Sequence, residues 1–239
     1  MAIIDVDVWI WPLQSGPEEL GRLESHLSGE ERQRADRFVA AAHRADYIVG
    51  RGRLREILST YTHRPPQSLH FAYGGGGKPG LTGAAGDPYF NLSHSSDCAA
   101  LAVTPAHPIG IDVEAERPIK ENIAERFFST AEQRSIAALP AAEQTAAFFR
   151  CWTRKEAFVK AVGDGLNFPL AAFDVAIGPD AVVERIAGVD DAELAQWRMF
   201  GFQPRQGMAG AVALSGVPRG DAIRARYFRL SPVGWSSET

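Results

Sequence analysis

Residues 150–166 read RCWTRKEAFVKAVGDGL. The spacing predicts an amphipathic helix over Arg150–Leu166, with Phe149, Trp152, Phe158, Val159 and Val162 along one apolar side. Gly163 and Gly165 supply its stop. Lys155, Glu156 and Lys160 sit on this helix. Glu156 and Lys160 are i,i+4 neighbours, so a carboxylate and an ammonium share one face. Alone, that pair is an ordinary surface salt bridge contributing roughly a few tenths of a kcal/mol. Its weight comes from chemistry elsewhere in the chain.

That chemistry begins with GIDVE, Gly110–Glu114. Side chains two apart on a strand point the same way, so Asp112 and Glu114 present two carboxylates to one face while Ile111 and Val113 enter the core. Convergent carboxylates repel unless a cation joins them. An all-oxygen set suits Mg²⁺, which takes one or two protein carboxylates plus phosphate oxygens and waters. If Glu156 packs against this strand, three carboxylates meet; the plainer alternative is a solvated strand edge. FNLSHS, Phe90–Ser95, places Ser93 and His94 at a strand end, where a hydroxyl and an imidazole can meet a phosphate or a base. Adjacent strand residues face opposite ways, so the two make a poor nucleophilic dyad. A zinc site from His94, Cys98, His107 and Cys151 lacks any repeating ligand spacing.

YGGGGKPGL, Tyr73–Leu81, invites a P-loop reading that fails: Ala72 stands where the first glycine belongs, and Pro79 follows Lys78 in place of Ser or Thr. What survives is a glycine loop delivering one ammonium, Lys78. Arg34, Arg37, Arg44, Arg51, Arg53 and Arg55 form the dense positive cluster of the first half. Arg51, on a turn that can face the Ser93–His94 strand, is a candidate for an anion. Together these residues suit a pyrophosphate carrying additional negative charge.

The chain has 239 residues, 45% hydrophobic and 23% charged, as a soluble globular protein has. Its net charge of −4 argues against bulk attraction to nucleic acid. No apolar run approaches the roughly 20 residues of a membrane span. The amino terminus reads as a strand with no basic n-region, and Cys98 and Cys151 make no disulfide framework, so a cytoplasmic protein is expected.

Along the chain, a strand over Ile3–Trp11 precedes helices at Pro17–Leu27, from the Ser28/Glu31 capping box to Phe38, and at Ala40–Leu58. Strands follow at Leu69–Tyr73, Tyr89–Ser93 and Ala99–Thr104. The rigid Pro105–Pro108 connection marks the expected boundary between residues 1–106 and 107–239. Beyond it come a strand at Ile109–Glu114, helices at Ile119–Phe128 and Ser129–Leu139, the long helix, and strands at Phe173–Ile177, Ala181–Ile186, Trp197–Gln203, Met208–Leu214 and Arg224–Leu230. Each half offers strands around a long helix, and Arg37–Phe38 loosely echoes Arg126–Phe128.

GIDVE, FFSTAE (Phe127–Glu132), WTRKEAFVKAVGDGL, FNLSHS and GKP (Gly77–Pro79) resemble the motif set of the 4′-phosphopantetheinyl transferases, in the larger, surfactin-synthetase-activating group. LSGEERQRADRF and GRGRLREIL are similar to that family's first half. The resemblance implies an α+β, pseudo-twofold fold of two similar subdomains, with coenzyme A between them. It implies transfer of the phosphopantetheine arm onto a serine of an apo acyl or peptidyl carrier protein, releasing 3′,5′-ADP, in nonribosomal peptide or polyketide synthesis. By resemblance Asp112, Glu114 and Glu156 are the Mg²⁺ ligands, and Lys160 contacts the transferred phosphate. Asp112, Glu156 and Lys160 are then the catalytic set. By the same resemblance Lys78, Ser93 and His94 hold the 3′-phosphate and adenylate portion of coenzyme A, Arg34 and Arg51 are additional phosphate contacts, and Asp112, Lys155 and Lys160 also contact coenzyme A. The proton acceptor is left open between Glu156, a metal-bound water, and Glu132 through a water.

Three positions before Arg34, where a member of the family carries a second basic residue, this chain has Glu31, so the 3′-phosphate grip is expected to rely on Arg51. The carrier is expected to dock along Ala115–Thr145, with apolar residues such as Ile119 and Phe128. A monomer is expected, since a duplicated chain supplies both halves of the site. A silent nucleotide-binding scaffold and a serine hydrolase are the rival readings.

Overall fold

The alternating Ile3–Trp11 segment becomes β1 (Ile3–Pro12), the spine of the first half. It is described in a computed structural model covering residues 1–119, 122–163, 168–231 and 234–238. Two short helices, α1 (Pro17–Ser25) and α2 (Gly29–Ala35), lead to the long α3 (Ala41–Thr62). The expected capping box forms: Ser28 accepts from the Glu31 amide and Glu31 reaches back to the Ser28 amide. Strands β2 (His70–Tyr73) and β3 (Pro79–Thr82) make a hairpin around the glycine run, and β4 (Tyr89–Ser95) and β5 (Cys98–Thr104) a second.

The second half starts with β6 (Ile109–Ala115), then α4 (Ile123–Phe127), α5 (Thr130–Ala137) and the long α6 (Ala141–Val162). Strands β7 (Phe173–Val175) and β8 (Val183–Ile186), helix α7 (Asp191–Leu194), then β9 (Arg198–Phe202) and β10 (Met208–Leu214) follow. The helix of residues 150–166 starts earlier than its periodicity suggested and ends at Gly163, whose φ of 90° is one that glycine adopts without strain. Gly165 and Leu166 lie outside the described residues, as do Asp164 and Asn167, and Lys120 and Glu121 in the region expected to dock the carrier.

The halves repeat one device. Ser129 and Glu132 cap α5 as Ser28 and Glu31 cap α2, and each capping glutamate then pairs with a buried cation of the following 22-residue helix. Glu31 takes Arg51 and Arg55 on α3; Glu132 takes Lys155 on α6.

Among the described residues the main sheet runs β12-β11-β1-β5-β4, and a second runs β6-β10-β9. The last two strands, β11 (Ala222–Ser231) and β12 (Gly234–Glu238), cross back to the first half. There β11 pairs parallel with β1, setting Arg224 beside Asp5 and Arg226 beside Asp7. The second half therefore completes the sheet of the first.

The facing edges of the two sheets, β4 and β6, are joined by side chains. Asn91 Oδ1 accepts from the Ile111 amide at 2.9 Å, Ser93 Oγ from Val113 at 3.4 Å, and Ser95 Oγ from Ala115 at 3.2 Å. Three alternate residues of one strand thus satisfy three alternate amides of the other. Helix α6 packs over β6 closely enough that a Cβ at Gly110 would overlap the Ala157 carbonyl oxygen and the Ala161 nitrogen. Only glycine fits there.

Candidate functional site

The β4–β6 seam also aims the carboxylates. Ser93 Oγ donates to Asp112 Oδ1 at 2.8 Å, and Ser95 Oγ donates to Glu114 Oε2 at 2.6 Å. Each serine therefore holds one carboxylate of GIDVE while its oxygen accepts a β6 amide. Lys160, from the last turn of α6, donates to Asp112 Oδ1 at 2.7 Å and to Ser93 Oγ at 3.0 Å. Asp112 is buried, and its second oxygen, Oδ2, has no hydrogen-bond partner.

Charge is concentrated here. Burial raises the Asp112 carboxyl above its ordinary range against the pull of Lys160 and Ser93, and Glu114 pushes it further up. Burial likewise raises Glu156, and then Asp112 and Glu114 act in the same direction. Glu156 therefore feels both GIDVE carboxylates, as its place on α6 suggested. Among the described residues no group of three or more His, Cys, Asp or Glu side chains stands assembled to hold a metal ion. Glu114 is drawn toward Ser95 and toward Arg117, at 2.7 Å. The donor set nevertheless fits a hard divalent cation: all-oxygen, mutually repelling, with one buried carboxylate oxygen left without a donor.

Next to this cluster, Lys160 and Lys78 line a cavity of 190 Å³ with Gly76, Gly77, Pro79, Asn91, Leu92 and Gly163. The Lys78 ammonium donates to the Ile109 carbonyl at 2.8 Å, and burial lowers its pKa to about 8. Below that pH the cavity holds two ammonium groups a few residues from the carboxylates. Such a pocket suits a pyrophosphate.

Gly77, Pro79 and Leu92 are shared with a larger cavity of 530 Å³ in the first half. Its wall includes Arg34, Arg51 and His94, and also His43, Asp46 and Tyr73. Arg34 lies 5.4 Å from the centre of the Tyr47 ring, and Arg51 4.8 Å from that of Phe71. Arg51 is not free to act alone, because Nε donates to Glu31 at 2.9 Å and Nη2 to Tyr73 at 3.2 Å.

The structure brings Asp112, Glu114, Glu156, Lys160, Lys78 and Ser93 to one side of the seam, and His94, Arg34 and Arg51 to the adjoining cavity. Ser93 and His94 point opposite ways, so a serine–histidine dyad does not form. Ser93 thus belongs with the carboxylates, whereas the sequence placed it with the nucleotide.

Lys155 requires correction. It is fully buried, paired with Glu132 at 2.8 Å and donating to the carbonyls of Leu170 at 2.7 Å and Phe173 at 2.6 Å, so it cannot contact coenzyme A. Glu132, which also accepts from the Ser129 and Val175 amides, is correspondingly withdrawn from any role as a base. Phe128 is buried with Phe148 and Trp152, leaving Ile119 as the large hydrophobic side chain exposed among the described residues of the expected docking segment. Cys98 and Cys151 are free thiols in separate cores, which removes the zinc reading.

The sequence reading missed Asn91 and Ser95. The alternation of Asn91, Ser93 and Ser95 against Asp112 and Glu114 was the available signal: two strands with matching polar two-residue periods.

Comparison with known proteins then decides the family. Residues 13–106 match the model described as 4′-phosphopantetheinyl transferase, N-terminal, and residues 108–213 match that of the 4′-phosphopantetheinyl transferase superfamily. The 4′-phosphopantetheinyl transferase HetI of Nostoc sp. is 36% identical over 219 residues, covering 89% of this chain and 88% of the relative. The chain belongs to the 4′-phosphopantetheinyl transferase superfamily. The 4′-phosphopantetheinyl transferase Sfp of Bacillus subtilis is 36% identical over 168 residues, 70% of this chain and 73% of that one. These likenesses place the chain in the Sfp-type group of 4′-phosphopantetheinyl transferases and make it an enzyme of that class. Among solved structures, the holo-[acyl-carrier-protein] synthase of Thermotoga maritima overlaps 56% of this chain and 84% of its own, with a TM-score of 0.37 and 21% identity. Among the described residues no helix is long and apolar enough to cross a membrane.

Proposed function

We propose that this 4′-phosphopantetheinyl transferase moves the arm of coenzyme A onto a serine of an apo carrier protein, with Mg²⁺ at Asp112, Glu156 and Glu114. The observation that carries this reading is the Asp112 carboxylate. It is buried, held by Ser93 and Lys160, and keeps one oxygen without a partner beside the lysine-lined cavity.

In this reaction the carrier serine oxygen attacks the phosphorus that bears the pantetheine arm. The bond from that phosphorus to the bridging anhydride oxygen breaks, and 3′,5′-ADP leaves with the bonding pair. The serine proton must go to a base. A bound Mg²⁺ would supply charge neutralisation for the pyrophosphate as the leaving group develops. Lys160 stabilises the phosphoryl oxygens under attack, and Lys78 neutralises the neighbouring phosphate. Glu156 and a water held at the carboxylate cluster are the two candidates for that base. Arg34, Arg51 and His94 hold the nucleotide in the larger cavity.

The serine belongs to another protein, so placing it in line is a large part of the catalysis. Exposed Ile119 with exposed Arg117, Arg126 and Arg134 offers an apolar and basic face to an acidic carrier helix. Carriers of nonribosomal peptide or polyketide synthesis are the expected partners, in the cytoplasm, with the enzyme acting as a monomer.

Incubation with coenzyme A, Mg²⁺ and apo carriers of fatty-acid, polyketide and peptide synthases should add one phosphopantetheine mass to at least one carrier. Asp112→Ala should reduce that gain by about a thousandfold or more while circular dichroism is retained. Full activity in the variant would overturn the metal assignment.

A further inference from the structure

The cavity that would receive the nucleotide is lined by fewer uncompensated charges than its arginine count suggests. Arg51 donates to Glu31 through Nε, and through Nη2 to both Glu31 and the Tyr73 hydroxyl. Glu31 is itself buried and fixed by four groups, since Arg55 and the Ser28 amide bond its other oxygen. Arg55 lies behind this pair, fully buried, with its Nη1 on the carbonyls of Pro66 and Leu69. Asp46 places a carboxylate on the cavity wall itself.

On the cavity wall Arg34 and Arg51 face Asp46, while behind the wall Arg55 and Glu31 offset each other. The excess is one positive charge, and the guanidinium of the set without a carboxylate in ion-pair range on the cavity wall is Arg34. Arg34 is exposed, so solvent and salt weaken what it can offer an anion. His43 and His94, also exposed, complete the polar wall. A phosphate monoester carries nearly two charges at neutral pH, which this wall cannot match.

We infer that Glu31 neutralises the nucleotide cavity in advance, so the enzyme discriminates weakly between coenzyme A and 3′-dephospho-coenzyme A and accepts the dephosphorylated nucleotide as a donor. This rests on the cavity being the nucleotide site, as proposed above. The pyrophosphate and the arm, which both donors share, meet Lys78, Lys160 and the carboxylates. The chemistry is the same for both: the serine oxygen displaces 5′-AMP from dephospho-coenzyme A where it displaces 3′,5′-ADP from coenzyme A.

The test is calorimetric titration of the full-length protein with each nucleotide in the presence of Mg²⁺, which needs no carrier, followed by transfer assays with both. An exposed ion pair contributes at most about a fivefold preference. The dissociation constants should therefore lie within about tenfold of each other. A larger preference for coenzyme A overturns the inference while leaving the transferase reading intact; absence of binding by both removes the nucleotide site and the inference together. The variant Glu31→Gln keeps one carbonyl acceptor for the capping box but removes the charge that holds Arg51 and Arg55 and turns an amide nitrogen toward Arg51. It should raise the preference for coenzyme A by at least about threefold. An unchanged ratio in the folded variant overturns the role of Glu31. If the variant does not fold, the wild-type ratio decides.

Discussion

At the residue scale, the site turns on pairs that period rules anticipate and on one residue they misplace. Asp112 with Glu114, and Glu156 with Lys160, converge because strand and helix periods oblige them to. Lys155 was misplaced because consecutive helical positions lie about 100° apart. Sequence alone does not say which of Lys155 and Glu156 faces the core. The structure decides it through Glu132, which needs a buried cation and whose S-x-x-E signature was visible at Ser129. The clustered carboxyls also have a pH signature. Their folded-state pKa values are raised, so the stability they contribute is present in acid and is lost as pH rises from the ordinary carboxyl range through the raised values. At neutral pH the metal-free protein bears the full repulsion. Millimolar Mg²⁺ at pH 7.5 should then raise the Tm by about 2–4 °C for each kcal/mol of binding linkage. Asp112→Asn should abolish that increment in differential scanning fluorimetry; an equal increment in the variant would place the ion elsewhere.

At the element scale, α6 and β6 form the junction on which the reacting groups stand. The sequence marked both elements but began α6 too late, because its apolar positions continue through Phe148 and Ala147, and carried it past its cap at Gly163. What it did not reveal is how closely they pack. Gly110 reads as a neutral opening to GIDVE, yet it lies directly beneath the α6 backbone. Gly110→Ala should force the two apart and destabilise the protein by about 3 kcal/mol. Urea denaturation would measure this, and a loss below about 1 kcal/mol would contradict the close contact.

At the scale of the whole molecule, the halves are interlocked by the return of the chain end. Its polar pattern, Arg224 and Arg226 against Asp5 and Asp7, is legible only once the parallel pairing is known. Local pattern does not encode a partner more than two hundred residues away. Trp9 stacks on Phe228 at 4.1 Å and meets Trp235 edge-on at 4.9 Å, so the returning strands also cover the first core. Truncation after Gly220 should expose β1 as a new edge and yield insoluble or non-cooperatively unfolding protein. A soluble product with an unchanged Tm would show that the return is dispensable.

The seam of Asn91, Ser93 and Ser95 has a repeating unit of two residues. A slide of β6 by two positions would keep every side chain on its own face and still satisfy two of the three amides, so the seam cannot by itself reject that misalignment. The slide would set Ser93 against Glu114 or Ser95 against Asp112 and carry Lys160 off its partner. Gly110 forbids it from outside, because no other residue of β6 can take the place under Ala157. The alignment of the transferase chemistry is thus keyed by one missing methyl group on the very face of the strand that carries Asp112 and Glu114.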